Sequence, residues 1–156
     1  MSTPTETALA RRWRLDVNMG TSGSPDYQLC PAITNFQWEA PPNHEDSSTY
    51  DDGGWADNEK TGQAWSVTAT FNRKASPDST TYSPVHEELR AAAFGFGDEA
   101  RVDIRFYDRD GLPEAYQGYA LVTWAPSGGE RTALDQVEVT LTGKGPLNMI
   151  TNPVTP

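Results

Sequence analysis

The chain has 156 residues, 36% of them apolar, and a formal net charge of −10 from 22 acidic and 12 basic side chains. That length suits one domain with a real core, and 13 glycines with 12 prolines suit a turn-rich β protein better than a helical bundle. The charge excludes an adhesive nucleic-acid binder, whose affinity comes from Lys and Arg releasing counterions, and the single Cys30 excludes an intrachain disulfide or a zinc cluster.

Residues 1–10 read as a flexible N-terminal arm, with no apolar run for a signal peptide. Arg12 to Asn18 alternates Trp13, Leu15 and Val17 against Arg12, Arg14 and Asp16, the period of a strand. Gly20 to Pro25 is a turn of small residues. Cys30 to Glu39 is a second strand, with Phe36 and Trp38 on its apolar face and Pro31 limiting pairing near its start. Ala40 to Ala64 is then a long connection holding Glu45, Asp46, Asp51, Asp52, Asp57 and Glu59, with no basic residue before Lys60. Connections beyond ~12–15 residues are usually functional or disordered. Tyr50 and Trp55 favour burial, so an ordered projection that reaches a partner is expected, another copy of the same chain first. The plainer alternative is a floppy acidic loop.

Trp65 to Lys74 is the cleanest strand: Trp65, Val67, Ala69 and Phe71 face inward, and Ser66, Thr68, Thr70 and Asn72 form a polar row outward. Ser83-Pro84 predicts a helix over about 84–94, with a Ser cap, Pro in the first turn, an apolar stripe of Val85, Leu89 and Ala92 or Ala93, and Gly95 and Gly97 to end it. Three strands follow. Arg101 to Tyr107 sets Val102, Ile104 and Phe106 against Asp103 and Arg105; Ala115 to Ala125 is partly apolar on both faces; Asp135 to Thr142 sets Val137, Val139 and Leu141 against Glu138, Thr140 and Thr142. Residues 147–156 read as a C-terminal arm. The expected fold is mainly β: two packed antiparallel sheets, a sandwich or partly closed barrel, with one flanking helix and a long inter-strand loop. Residues 11–146 form its single domain. Trp13, Phe36, Trp65, Val67, Phe71, Ile104 and Val139 are its expected core.

Catalytic constellations are poorly represented. The only histidines are His44, in the acidic projection, and His86, read as a helix-surface or partly buried structural residue. Gly20-Thr-Ser22-Gly23 is one residue short of a nucleophile turn and lacks its strand-to-helix setting. Asp108-Arg-Asp110-Gly111 has the first beat of a calcium loop without its later ligands, and the acidic run at 51–59 matches no metal motif. No catalytic residue, metal or cofactor is therefore assigned. No stretch approaches the ~20 apolar residues of a membrane helix, and a soluble life in a cytoplasm is expected.

Trp13-Arg-Leu15-Asp-Val17, Ile33-Thr-Asn-Phe36, Ser48-Thr-Tyr50-Asp51-Asp52-Gly53-Gly54-Trp55, Trp65-Ser-Val67, His86-Glu-Glu-Leu89-Arg90, Gln117-Gly118-Tyr119-Ala120 and Val137-Glu-Val139-Thr-Leu141-Thr-Gly143 form an arrangement over nearly the whole chain. It resembles the major tail tube protein of long-tailed, non-contractile bacteriophages, in the short form of actinobacterial phages. The resemblance implies two packed β-sheets with a helix at the side, rings of six subunits, and rings stacked into a conduit for phage DNA. It implies a virion location after assembly in the host cytoplasm, and partners that include a tape-measure protein and tail-terminator or baseplate proteins. It also makes the 40–64 loop, with Tyr50, Asp51, Asp52 and Trp55, the ring-stacking loop, and the two arms stacking elements. DNA would be non-adhesive passing cargo, repelled by a negative lumen. Candidate lumen faces are Ser66, Thr68, Thr70 and Asn72, or Glu138, Thr140 and Thr142, or Asp103 and Arg105; each could equally be an ordinary solvated face. A rival of another class is a carbohydrate- or receptor-binding β-sandwich module, with Tyr50, Trp55 and Tyr82 stacking on a sugar.

Overall fold

The computed structural model describes residues 5–21 and 23–154. Residues 1–4 of the expected N-terminal arm, Ser22 of the discarded nucleophile turn, and the last two residues lie outside them. Ten strands and one α-helix follow in order: β1 (Trp13–Asn18), β2 (Tyr27–Leu29), β3 (Ile33–Glu39), β4 (Pro42–Asp46), β5 (Asn58–Gln63), β6 (Ser66–Asn72), α1 (Pro84–Ala93), β7 (Arg101–Asp108), β8 (Ala115–Pro126), β9 (Gln136–Gly143) and β10 (Asn148–Met149). Two antiparallel sheets result. Eight strands form the larger, in the order β2-β1-β7-β8-β9-β6-β3 with β10 paired to β8; β4 and β5 form the smaller.

The large sheet does not close into a barrel, yet its ends meet through side chains. β1 and β3 lie far apart in strand order, but Trp13 stacks on Phe36 at 5.8 Å and meets Trp38 edge-on at 6.2 Å. Phe106 of β7 lies 5.7 Å from Phe36 and 5.4 Å from Trp38. The sheet thus folds over on an aromatic seam, and its two halves face each other as in a sandwich. Of the expected core, Trp65, Val67, Phe71, Ile104 and Val139 are buried, while Trp13 and Phe36 are half-buried and packed against the cluster.

Alternation explains the long central strands β6, β7 and β9, and close approach explains two glycines. Trp65 is buried between β8 and β9, and its Nε1 donates to the Gly145 carbonyl at 3.0 Å. A Cβ on Gly118 would stand 2.7 Å from the indole ring, and one on Gly143 only 2.4 Å from it. Only glycine fits at either place.

The helix α1 packs on β8 and buries Val85, His86, Leu89 and Ala92. Pro84 holds its first turn as expected, but the Ser83 side chain makes no cap bond; its carbonyl accepts from the Glu87 amide instead. The C-terminal stretch turns back on the sheet: the Ile150 amide donates to the Ala115 carbonyl, and Asn152 Nδ2 donates to the carbonyls of Asp108 and Leu112.

Candidate assembly interface

The acidic segment connects β3 to β6 and is itself a hairpin. β4 pairs with β5 from Pro42↔Gln63 to Asp46↔Asn58, and nearly all of it is exposed. Its tip is tied by local hydrogen bonds. Asp52 Oδ2 accepts from the Thr49 amide at 2.6 Å, the Asp57 amide donates to Ser48 Oγ at 2.7 Å, and the Ser47 amide donates to the Asp57 carbonyl at 2.8 Å. Bonds from Ser48 hold the Asp46 carboxyl below its usual range. Gly53 and Gly54 take positive φ of 65° and 88°, which turns the chain back at the end of a short 3₁₀ turn, Tyr50–Asp52. This is the physical content of Asp51-Asp52-Gly53-Gly54: one carboxylate caps, two glycines reverse. The reversal leaves Tyr50 fully exposed and Trp55 81% exposed.

The structure brings the two hydroxyl rows together. Ser66 pairs with Thr142, Thr68 with Thr140, and Thr70 with Glu138, so the two sets of lumen candidates form one surface across β6 and β9. Asn72 closes the row by accepting from Gln136 Nε2 at 2.8 Å. On β3 the same face continues through Asn35, Gln37 and Glu39, which stand opposite Thr70, Thr68 and Ser66. On these three strands the face carries two carboxylates, Glu39 and Glu138, and no cation.

Asp103 and Arg105, the other candidates, belong to a different arrangement on β2, β1, β7 and β8. Asp103 accepts from Tyr27 Oη at 2.7 Å, Asn18 Nδ2 at 3.2 Å and Gln117 Nε2 at 2.5 Å. Arg105 donates to Asp16 at 3.1 Å and lies over the Tyr27 ring. Asp16 is fully buried and also accepts from Arg14 Nε at 2.8 Å and Tyr107 Oη at 2.9 Å. Burial, then the bonds to Asp103 and Asp16, push the Tyr27 and Tyr107 hydroxyls up. These groups are consumed by one another. Sequence alternation put Asp16 on a polar face, but nothing in the sequence marked it as the centre of a buried network.

His86 is buried, stacked on Phe71 at 3.8 Å, with Nε2 2.9 Å from the Pro31 carbonyl. Burial holds its pKa down. Cys30 is buried too, and burial followed by the Asp16 charge pushes its thiol up to about 12. Asp108, from the supposed calcium beat, accepts from Arg12 Nη1 at 3.0 Å and from the Asp110 amide at 2.7 Å. Among the described residues no three His, Cys, Asp or Glu side chains gather as a metal cage. Tyr82 lies beyond the far end of β6 from the hairpin, under the Arg73 guanidinium at 3.7 Å, so the three aromatics of the sugar-binding reading do not share one platform.

No family model matches the chain, and no curated protein matches it in sequence. Solved structures do match its fold. A chain in the tail of an empty gene transfer agent (GTA) particle, computed with helical refinement and C6 symmetry, superposes with a TM-score of 0.71 at 14% identity, over 93% of this chain and 100% of that one. A chain of the native GTA virion gives 0.72 at 12% identity over 93% and 100%. The SPP1 tail tube gives 0.66 at 12% identity over 94% of this chain and 81% of that one. Two of these neighbours thus come from tails and one from a virion, and the chain shares their fold over almost its whole length.

Proposed function

We propose that this chain is a structural virion protein, the major subunit of a phage-type tail tube. Copies close into rings, six per ring by analogy with the C6-symmetric GTA tail, and rings stack into a conduit through which DNA leaves the particle. One observation carries this reading: the fold matches a chain of the GTA tail over 93% of this chain and 100% of that one. The hairpin supports it. A two-stranded hairpin is marginal alone in water, and one that exposes a Trp and a Tyr at its tip calls for a partner surface. In the tube, Tyr50, Asp51, Asp52 and Trp55 make the stacking contact.

The Ser, Thr and Glu face of β6 and β9 is the lumen wall in this proposal. Small hydroxyls and carboxylates without cations release no counterions from DNA, so duplex passes without sticking. The role is structural, not enzymatic, with tape-measure and terminator or baseplate proteins as partners and the virion tail as its location. Negative-stain microscopy of the concentrated protein, and of virions that contain it, tests the reading. Rings or tubes are expected; a protein that stays monomeric at high concentration and is absent from virion tubes refutes it.

A further inference from the structure

We infer that the acidic tip of the hairpin is received, on a neighbouring copy, by the cleft between Arg11 and Arg109. The inference rests on the tube reading above and names the surface that completes its contact.

Charge is the first argument. The hairpin strands and tip hold six carboxylates against Lys60 alone, a formal −5, half of the −10 of the whole chain. Glu45 stands directly opposite Glu59 across the hairpin, a placement that is repulsive unless cations come from elsewhere. Arg11 and Arg109 are the complement. Both are exposed, and among the described residues neither pairs with a carboxylate, whereas Arg12, next to Arg11 in sequence, is taken by Asp108 and Glu114. Arg109 is steadied by donating Nη2 to the Trp13 carbonyl at 2.9 Å.

Shape and polarity are the second. The cleft of about 290 Å³ that the two arginines flank is floored by Trp13, Ile33 and Phe36, and no acidic side chain lines it. An indole or phenol entering it meets apolar walls and two guanidiniums, the setting for cation–π contact. Its third wall is the start of β3, the end strand of the large sheet, where the register slips between Ile33 and Asn35. An occupant there also covers an unpaired strand edge. The chain's own tip does not fill the cleft, since Tyr50 and Trp55 stand in solvent.

Charge reversal tests the inference. Wild type, Arg11→Glu/Arg109→Glu, the same double variant carrying Asp51→Lys/Asp57→Lys, and Arg131→Glu as a control elsewhere are compared by sedimentation and microscopy, with circular dichroism to check folding. The double reversal is expected to raise the concentration needed for tubes at least ~10-fold, because it sets like charges against each other at the contact. The compensating lysines are expected to restore assembly, and Arg131→Glu to leave it unchanged. Should the double reversal fail to fold, Arg11→Glu, at an exposed side chain with no hydrogen bond among the described residues, is paired with Asp51→Lys. Tubes that tolerate the reversal, a swap that fails to restore them, or an equal loss with Arg131→Glu overturns the socket and leaves the tube reading standing. A wild type that makes no tubes overturns both.

Discussion

Replacing Gly143 by alanine puts a Cβ 2.4 Å from Nε1 of Trp65, about an ångström inside ordinary contact, and the ring has nowhere to go. The ring is crowded at Gly118 too, where a Cβ would stand 2.7 Å from its Cζ2, and Nε1 is held by the Gly145 carbonyl at 3.0 Å. Gly143 does not have the positive φ that only glycine tolerates, so backbone strain adds nothing and the cost is steric. Overpacking a tight core costs ~1–3 kcal/mol, and displacing the indole from its carbonyl adds about 1 kcal/mol. A loss of roughly 2–4 kcal/mol is expected, which for a domain of this size lowers the Tm by about 5–12 °C. Differential scanning calorimetry measures it. A double-mutant cycle isolates the cause: in a Trp65→Leu background, Gly143→Ala is expected to cost under about 1 kcal/mol. A Tm within 2 °C of wild type (~2 °C being less than 1 kcal/mol here), or an equal loss in both backgrounds, refutes the steric argument.

Four other outcomes are expected. Asp16→Asn leaves the Arg14 and Arg105 guanidiniums without their carboxylate; because their side chains are 35% and 23% exposed, the loss is set at about 2–3 kcal/mol, below the usual cost of a broken buried pair, and a urea midpoint with unchanged slope checks it. The depressed pKa of His86 means that the unfolded chain binds its proton more readily, so this histidine's contribution to stability is whole above its ordinary value of 6.5 and erodes as pH falls below it; an NMR titration placing His86 above 6.5 contradicts the sign. Trp55→Ala is expected to fold with a wild-type melting curve yet make no tubes, while Glu45→Gln is tolerated, since a buried aromatic anchor is commonly worth ~2 kcal/mol or more and a rim charge little. Duplex DNA is expected to show no binding at physiological salt, and micromolar affinity in an anisotropy titration would contradict the conduit.

Strands and helix were legible wherever period alone decides. Val67, Ala69 and Phe71 alternate with Thr68, Thr70 and Asn72, and burial follows that alternation residue by residue. Period also placed α1 to within a residue. It could not show that His86 joins the buried stripe, because a histidine is buried only where a stacking ring and a carbonyl acceptor await it, and Phe71 and Pro31 are distant in sequence. The hairpin strands β4 and β5 escaped for the opposite reason. Their residues, Pro42 to Asp46 and Asn58 to Gln63, have no apolar alternation, since neither face of the hairpin packs on the core.

A segment without an apolar face has no reason of its own to stand as a paired hairpin, and this one also opposes Glu45 to Glu59. What holds it is local: Asp52 on the Thr49 amide, Ser48 on Asp57, and two glycines in left-handed conformation. Those bonds keep Trp55 and Tyr50 out of the chain's own core and display them with four nearby carboxylates, Asp46, Asp51, Asp52 and Asp57. A core built for one chain would have drawn two such aromatics inward, as it draws Trp65 and Trp38. Their display is instead the arrangement expected when burial is completed by a second copy, whose Arg11 and Arg109 supply the facing cations in the proposed contact.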